Sequence, residues 1–528
     1  MDKIQQLFDE HQTDPLVQDI LLQQHLSYEH ISQILKDQKF PFESQALELI
    51  LDRLYKAKVL KEKVVIVGDY DADGIMSTTI LYKALKSFEI EVGFYIPDRL
   101  KEGYGINKNI VDQVISKQYE LIICVDNGIV AFEALEYAKE KGIEVVVVDH
   151  HTINADYDFE FDYLLHPKYL PYGYNDLCGA GLALLIAERI APKAMIPTFY
   201  AYAMIATIAD MVSVFGHNRN IIKNGLYTLN KKGDMHIENL MNSYTQEIDQ
   251  TMISFQVVPK LNTFGRLADL VNVNNSVRYF LLTNETEIKK SALEITAINQ
   301  KRITLTKDSF ERFTQIKKYG TMNVLINENI HEGLTGLIAG RHLNSSQEPI
   351  LVFTKVNDIY KGSGRSPIGY DLYELLSPYR NLFVSFGGHK QACGISIKID
   401  QMDAFLELLT KNSEDIMFIP QAKHHHKLTL DQLTSETVKH VNMLEPFGTD
   451  FKRPLFSAHF EVTQRPQRLK DKYLKWVISP SLEMLSFKTD IDISELEQKQ
   501  TMNALVNLQL NTFKNRTKVN LIVEDFLD

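Results

Sequence analysis

Three acidic motifs each follow directly on a β-branched run in the first third of the chain: DYDADG after VVIVG, DNG after LIICV, and DHH after VVVV. The carboxyl ends of neighbouring parallel strands form the ligand-binding edge of an open sheet, so we expect the three motifs to share one pocket. Carboxylates crowded in this way repel one another, and divalent cations such as Mn²⁺, Mg²⁺ or Zn²⁺ relieve the repulsion. The residues concerned are Asp69, Asp71, Asp73, Asp126, Asp149, His150 and His151.

A further acid, Asp210, lies in the apolar stretch ATIADMVSV, where an unpaired charge is expensive. A single Asp after a strand is as often a helix N-cap as a metal ligand, but capping is a weak explanation for all of these acids together. The set therefore predicts a dinuclear metal phosphoesterase. Two cations about 4 Å apart would bind the phosphate and activate a water.

The elements that must position these residues alternate between strand-like and helix-like stretches. Short β-branched runs occupy residues 64–68, 91–96, 120–125 and 144–148, and helical patterns lie between them. This alternation predicts a parallel sheet with helices on both faces, and its strands are apolar on both sides as buried strands require. The acidic motifs then stand at the carboxyl ends of three of the four strands.

Composition sets limits on the function. The 528 residues are 45% hydrophobic, and 57 basic residues against 68 acidic ones give a net charge of −11. A generally basic coat for nucleic acid is excluded, whereas a local basic groove is not. The three cysteines show no C-x-x-C spacing, the N-terminus is polar, and no uncharged apolar run reaches about 18 residues. We therefore expect a soluble cytoplasmic protein without a membrane segment.

The motifs together resemble a known group of enzymes. GDYDADG, VDNGI and VDHH, followed by ATIADMV, resemble the DHH phosphoesterase superfamily. Within it, five further segments resemble the RecJ exonuclease family: PDRLKEGYGIN, PKLNTFGRLAD, GSGRS, FGGHKQACG and MLEPFGTDFKRPLF. The resemblance runs from about residue 40 to the C-terminus. Lys260 departs from the pattern by replacing an Arg, which keeps the charge but loses the forked geometry.

The resemblance implies an α/β fold with five parts. These are a helical segment (1–60), a parallel-sheet DHH catalytic domain (61–215), a helical connector (216–315), a second α/β, DHH-associated substrate-binding domain (316–418) and an OB-fold-like β-barrel that binds nucleic acid (419–528).

The resemblance also implies roles for individual residues. His151, Asp73 and Asp149 would be catalytic, with His151 acting at the scissile phosphate. The metal ligands would be Asp69, Asp71, Asp73, Asp126, His150 and Asp210, although Asp69 and Asp149 match acids that can support the ligands from behind. The residues that would contact DNA or its phosphates are Arg99, Tyr104, Arg266, Arg341, Ser363, Arg365 and His389.

The stretch RPQRLKDKYLKW, in the predicted β-rich domain, interleaves cations with aromatic side chains. OB-folds bind single strands with such a combination, although a solvated hairpin with one buried aromatic fits the same residues. The resemblance favours DNA, with contacts from Arg468, Lys470, Lys472, Tyr473, Lys475 and Trp476. The triple histidine 424–426 could bind a metal, but it lies in a polar linker without other ligands, so we do not assign a site there.

The implied function is that of a 5′→3′ exonuclease, which degrades single-stranded DNA to mononucleotides with two Mn²⁺ or Mg²⁺ ions in DNA repair and recombination. Single-stranded DNA with a 5′ end would be the substrate of a monomeric enzyme, with a single-strand-binding protein and a helicase as further partners. One alternative is a nanoRNase or short-oligonucleotide phosphodiesterase of the same superfamily. A less favoured one is an inactive replication scaffold, which would lose its metal motifs, whereas this chain keeps every acid and both histidines.

Overall fold

The structure is a computed structural model that describes residues 2–36, 38–153, 159–242, 247–312, 316–412, 424–469, 473–488, 493–513 and 516–527. The chain forms two compact units. One contains Met1–Leu261, Val273–Ile288 and Lys423–Asp528, and the other contains Asn262–Asn272 and Lys289–Ala422. Within the described residues, no helix is long and apolar enough to cross a membrane.

Four helices precede the first sheet. Ser44 caps the fourth by accepting a hydrogen bond from the Leu47 amide, and Lys61 ends it in the left-handed conformation. This helix buries one apolar face, including Leu47, Ile50 and Leu54. The four helices are α1 (Asp2–Glu10), α2 (Pro15–Gln23), α3 (Tyr28–Lys36) and α4 (Gln45–Leu60).

The first sheet has five parallel strands in the order β2-β1-β3-β4-β5. Its strands are β1 (Lys63–Val67), β2 (Glu91–Tyr95), β3 (Leu121–Val125), β4 (Glu144–Val148) and β5 (Tyr163–Leu165), with α5 (Ala72–Ser87), α6 (Lys108–Ser116) and α7 (Phe132–Glu140) between them. Every residue of β3 is buried, as the apolar run predicts. The chain leaves β1 for β2 on one side and returns to β3 on the other, so the sheet has its switch point between β1 and β3, where ligands bind in such folds.

A helical region follows. Eight of the fourteen residues of α9 are buried, and α9 ends at Ala209 immediately before Asp210. Residues Ile253–Val257 form a π-helix. The α-helices here are α8 (Gly179–Ile190), α9 (Ile196–Ala209), α10 (His217–Lys232), α11 (Met235–Leu240), α12 (Gln250–Met252), α13 (Val258–Arg266), α14 (Asn274–Leu281) and α15 (Glu285–Arg312).

The second unit is built around a six-stranded mixed sheet in the order β10-β11-β9-β8-β7-β6. Phe353, Ile395 and Phe405 lie in its main apolar core. Its elements are β6 (Lys317–Tyr319), β7 (Met322–Ile326), α16 (Thr335–Ser346), β8 (Ile350–Val356), β9 (Ile359–Arg365), α17 (Leu372–Leu376), β10 (Phe383–His389), β11 (Ala392–Lys398) and α18 (Met402–Asn412).

The C-terminal part returns to the first unit as a seven-stranded sheet in the order β12-β13-β17-β18-β16-β15-β14. It contains β12 (His426–Lys427), α19 (Ser435–Asn442), β13 (Phe456–Glu461), β14 (Gln467–Leu469), β15 (Tyr473–Ser479), β16 (Leu482–Ser486), α20 (Ile493–Leu496), β17 (Thr501–Phe513) and β18 (Arg516–Phe526). Short 3₁₀-helices occur at Pro167–Tyr169, Glu332–Leu334, Ser377–Leu382, Ile399–Gln401 and Leu430–Gln432. The predicted fold class, a parallel-sheet domain with a second α/β domain and a β-rich C-terminal domain, is confirmed.

Candidate active site

The structure brings the predicted metal ligands together at the carboxyl edge of the first sheet. Three overlapping groups of side chains each have one ligand atom per residue within 4.8 Å of the others. Asp126 and His150 each belong to two of the groups, so each of these side chains lies between two neighbouring candidate cation positions. The groups are Asp69, Asp71 and Asp126; Asp73, His150 and Asp210; and Asp126, His150 and His151.

The imidazole of His150 lies among three carboxylates. Its Nε2 is 3.1 Å from Asp126 Oδ1 and 3.6 Å from Asp73 Oδ2, and its Nδ1 is 3.7 Å from Asp210 Oδ2. The three acids come from a helix, a strand end and the end of a second helix. No two of them are neighbours in sequence, so the fold itself assembles this part of the cluster.

The donor set fits divalent cations. Burial, followed by the charge of Asp73, raises the pKa of Asp126 well above its ordinary value, and the same causes raise the pKa of Asp210 to about 8. Asp69 Oδ1 is fully buried and has no hydrogen-bond partner among the described residues. Buried carboxylate oxygens without donors are costly, and a cation supplies the missing partner. Oxygen and imidazole ligands together suit Mn²⁺ and Mg²⁺.

Two of the acids are held in place by helix N-termini. Asp71 caps α5, since its Oδ1 accepts the amides of Asp73 and Gly74 at 2.9 and 3.1 Å. Asp73 accepts the amides of Gly179 and Ala180, both at 2.7 Å, at the first turn of α8. An aspartate after a strand therefore serves here both as a helix cap and as a member of the ligand cluster, and the caps fix its direction.

His151 forms a pair with Asp149. Its Nδ1 donates to Asp149 Oδ1 at 2.8 Å. Burial opposes the charged ring, but this hydrogen bond and the Asp149 carboxylate raise the pKa of His151 to about 9. The Tyr104 hydroxyl donates to the Asp126 carbonyl at 3.0 Å and lies 3.3 Å from each ring nitrogen of His151. With Nδ1 engaged, Nε2 is the position from which His151 can donate a proton.

Sequence reasoning missed several residues that support the site. The fully buried Asn127 donates to the carbonyls of Val67 and Val125 and accepts from the Ile106 amide, which ties two strand ends to one loop. Gly179 has no room for a side chain, because a Cβ there would lie 2.8 Å from the Asp126 Cβ. Asn127 lies in the motif VDNG and Gly179 in the motif CGAG, and both motifs are visible in the sequence.

Arg99 lies near this cluster in the first unit. Its guanidinium stacks over the Tyr70 ring with 4.8 Å between the guanidinium carbon and the centroid, and Tyr70 in turn contacts Tyr104 edge to face. Lys260 lies in the interior of the first unit. It is buried and donates to the Leu240 carbonyl, so the Arg-to-Lys departure falls on a structural position.

The second unit carries a separate group of predicted phosphate contacts. Arg365 pairs in register with Ala392, and Ala392 pairs with His389, so these residues lie side by side across three strands. Ser363 faces the same side two residues earlier and is 3.0 Å from the Thr335 hydroxyl at the start of α16. Cβ atoms built on Gly387 or Gly394 would meet nothing within 4 Å, so this face is open.

Two other predicted phosphate contacts in this unit have structural neighbours. The Arg341 guanidinium lies over the Phe310 ring with its carbon 4.4 Å from the centroid. Arg266 ends α13, and a Cβ on Gly333 would come within 1.9 Å of the Arg266 carbonyl oxygen. Both residues remain predictions as phosphate contacts.

The structure corrects the prediction for Trp476. Its side chain is only 1% exposed and lies in the core of the C-terminal sheet, so it is not placed to stack on a base. The reason is strand periodicity, since Leu474 and Trp476 point inward while Tyr473 and Lys475 alternate with them. The exposed aromatic here is Phe487, 51% exposed, which contacts the Tyr473 ring edge to face.

The other OB-fold predictions have mixed outcomes. Arg468 makes a double ion pair with Glu497 at 2.6 and 2.9 Å, and Lys475 lies 3.6 Å from Glu483, so both cations have acidic partners. Lys470 and Lys472 lie outside the described residues. Of the triple histidine, His426 is buried and 2.7 Å from Asp19 on α2. Within the described residues, no group of potential ligands forms there.

Comparison with known proteins identifies three domains along the chain. Residues 63–208 match the model of the DHH family N-terminal domain, residues 318–414 the DHHA1 domain, and residues 425–525 the RecJ OB domain. A single-stranded-DNA-specific exonuclease RecJ from Bacillus subtilis is 28% identical over 99% of this chain and 69% of its own length. The Escherichia coli protein of the same name is 26% identical over 91% of this chain and 90% of its own.

The chain is similar to RecJ exonucleases over nearly its whole length.

Solved RecJ structures have the same fold. The Thermus thermophilus RecJ crystallised with Mn²⁺ matches 98% of this chain and 78% of its own with a TM-score of 0.80 at 22% identity. A RecJ exonuclease structure bound to manganese matches 72% of this chain and 96% of its own with a TM-score of 0.61 at 26% identity. The RecJ OB model separates this chain from a DHH protein that has only the catalytic pair of domains.

Proposed function

We propose that this chain is a 5′→3′ exonuclease specific for single-stranded DNA, which uses two divalent cations, Mn²⁺ or Mg²⁺, to release mononucleotides. The observation that carries the proposal is the ligand cluster in which Asp126 and His150 each belong to two groups. Shared ligands of this kind hold two cations close to each other. The names of the curated relatives support the substrate, and the manganese-bound relative supports the metal.

The reaction would divide among the residues as follows. When bound, two divalent cations polarise the phosphate and lower the pKa of a water. The carboxylates hold the site, with Asp73 fixed by the amides of α8 and Asp71 by those of α5. His151, charged because of Asp149, donates from Nε2 to the leaving 3′ oxygen. Tyr104 restrains the same ring, so that the proton is delivered from a fixed direction.

The surface of the second unit would bind the DNA backbone. Arg365 and Ser363 lie where the start of α16 approaches the sheet, since a Cβ on Gly336 would be 3.3 Å from Arg365 Nη2 and 3.5 Å from Ser363 Oγ, and the same face is open at Gly387 and Gly394. Arginine beside a helix N-terminus provides both a bidentate donor and free amides for a phosphate. The 5′→3′ polarity of the proposal comes from the family likeness. The ligand cluster alone does not determine from which end of the strand the DNA is degraded.

The test uses single strands labelled at either end, with Mn²⁺ added. We expect single-nucleotide release from the 5′ end and little release from the 3′ end. Asp126→Asn should lower the rate by about a thousandfold, or roughly 4 kcal/mol of barrier, because it removes an oxygen shared by two groups. Asp52→Asn, at an exposed position on α4, is the matched control and should cut normally.

Three outcomes contradict the proposal. Equal release of nucleotides from the 5′ and 3′ ends would contradict the proposed 5′→3′ polarity. Faster digestion of a ribonucleotide strand of the same sequence and length would indicate an RNA enzyme. Full activity of Asp126→Asn would place the chemistry elsewhere.

We also propose that the enzyme works as a monomer in the cytoplasm, together with a single-strand-binding protein and a helicase. The support for this is the family likeness alone. Size-exclusion chromatography with light scattering at several protein concentrations tests the monomer, and a concentration-dependent dimer would contradict it.

A further inference from the structure

A short segment between β12 and β13 contacts α10 and the turn that follows Asp210. We call residues 444–449 the docking segment. Arg219 on α10 is 1% exposed, and its Nη2 donates to the carbonyls of Leu444 and Glu445 at 2.9 and 2.7 Å. Its Nη1 donates to the Pro446 carbonyl at 3.3 Å. Buried carbonyls require donors, and one forked guanidinium supplies them to three successive residues.

The far end of the docking segment holds the main chain beside Asp210. The Thr449 hydroxyl donates to the Met211 carbonyl at 2.5 Å. The Val214 amide donates to the Thr449 carbonyl at 3.2 Å, and Ser213 and Thr449 form a parallel bridge. Met211 has a φ of +56°, a left-handed conformation that a residue with a side chain adopts at a cost. Thr449 therefore restrains a turn that the local sequence does not favour.

The contact is close as well as hydrogen-bonded. A Cβ on Gly448 would lie 2.6 Å from the Val214 Cγ1, so a larger residue at this position would clash with the Val214 side chain. Gln250 donates to the Phe447 carbonyl at 2.7 Å. The rings of Phe215 and Phe451 also pack against each other, with centroids 5.7 Å apart.

We propose that the docking segment is a positioning element of the metal cluster, in which Arg219 fixes the segment and Thr449 fixes the main chain next to Asp210. The inference rests on the proposed function. Asp73 is held by two amides of α8, whereas Asp210 comes directly after the last residue of α9 and is followed by the strained turn. Its carboxylate therefore depends on how that turn is held. The C-terminal domain contributes to the site through this contact, in addition to any contact with DNA.

Thr449→Val tests the contact at its far end, because it removes the hydroxyl and keeps the shape. We expect faster hydrogen exchange in residues 208–216, an affinity for Mn²⁺ about tenfold lower by calorimetry, and a lower kcat with the KM for single-stranded DNA unchanged. Thr437→Val is the matched control, since Thr437 also donates to a backbone carbonyl at 2.5 Å, that of Gln432. It should leave all three quantities at the wild-type value.

Arg219→Lys tests the other end, because it keeps the charge and loses the forked geometry. It should also speed exchange in residues 208–216 and weaken Mn²⁺ binding, by about tenfold or more. Arg53→Lys is the control, as Arg53 is also a buried arginine of the first unit but pairs with Glu62 and Glu144. If Arg219→Lys fails to fold by circular dichroism, the Thr449→Val result decides.

Different results would contradict the proposed function and the proposed role of the docking segment. If the proposed function is wrong, the wild-type chain itself binds no Mn²⁺ or cuts no single strand. If the inference is wrong, a wild-type chain that does both is matched by Thr449→Val in Mn²⁺ affinity and kcat. Faster exchange in that variant without a loss of Mn²⁺ affinity would also overturn it, since the turn would then be held without consequence for Asp210.

Discussion

Asp73 shows how a single carboxylate can be both anchored and available. Its two oxygens accept amide hydrogens from the start of α8, so its rotamer is set before any cation binds. Its Oδ2 still lies 3.6 Å from His150 Nε2 and belongs to the ligand cluster. A ligand held in this way loses little conformational entropy when it binds a cation.

Gly179 allows this arrangement, and Gly179→Ala tests it. The new Cβ would lie 2.8 Å from the Asp126 Cβ and 3.1 Å from Asp73 Oδ2, so the helix start or the strand end must move. We expect activity to fall by about a hundredfold, the cost of roughly 1 Å of misplacement at a reacting centre. The exonuclease assay and Mn²⁺ calorimetry measure the effect.

Gly181→Ala is the control on the same helix. The three atoms nearest to its Cβ would belong to the Leu177 and Ile221 side chains, the closest at 3.1 Å, and none to a carboxylate. Activity should stay near wild type, and the helix should gain slightly in stability. Equal activity of the two variants would show that the close approach of α8 to the carboxylates does not matter.

At the scale of the element, strand β15 decides which aromatic residues can meet DNA. Its alternation buries Leu474 and Trp476 and leaves Tyr473 beside the exposed Phe487 of the neighbouring chain segment. A sequence window rich in cations and aromatic residues shows which side chains are present, whereas the two-residue period of the strand decides which of them point to the surface. A base can stack only on a ring that reaches the surface.

The double variant Tyr473→Ala, Phe487→Ala should therefore weaken binding of a single strand long enough to reach the OB domain. Base stacking is worth about 1–3 kcal/mol, so we expect an affinity loss of about 5- to 160-fold. Fluorescence anisotropy without added divalent cation measures binding without cleavage. Trp476→Phe should instead lower Tm and leave the affinity unchanged. If Trp476→Phe weakens the affinity and the double variant does not, Trp476 is the residue that stacks on a base.

At the scale of the whole molecule, the net charge of −11 and the proposed DNA substrate are compatible. Part of the acidity is the ligand cluster itself, which bound cations offset locally. Other charges are paired, as Arg468 is with Glu497 and Lys475 with Glu483. The cations left for DNA are therefore few and individually placed.

This distribution predicts a modest salt dependence. If Arg99, Arg266, Arg341 and Arg365 each contact one phosphate, log K should fall with log salt with a slope near about −3, at roughly 0.7 per contact. Arg365→Gln should reduce the steepness by about 0.7, whereas Arg189→Gln, whose cation pairs with Glu48, should not change it. Fluorescence anisotropy titrations at salt concentrations from about 50 to about 300 mM measure K and give the slope. A slope steeper than about −6 would indicate a broad basic surface instead.

The sequence by itself determined the fold class and the kind of chemistry. Runs such as LIICV and VVVV are buried on both faces whatever their partners, and motifs that follow such runs reach the carboxyl edge of a parallel sheet. Neither conclusion needs information about distant residues. The predicted strands and the clustering of Asp126 with His150 agree with the structure for this reason.

Only the tertiary structure decided which distant groups support that chemistry. Asp73 meets the amides of α8 across 106 positions of sequence, and Arg219 meets the Leu444 carbonyl across 225. The burial of Trp476 likewise depends on which face of the C-terminal sheet is covered. Local patterns specify the type and direction of an element, but the contacts between elements depend on packing, which a single motif does not contain.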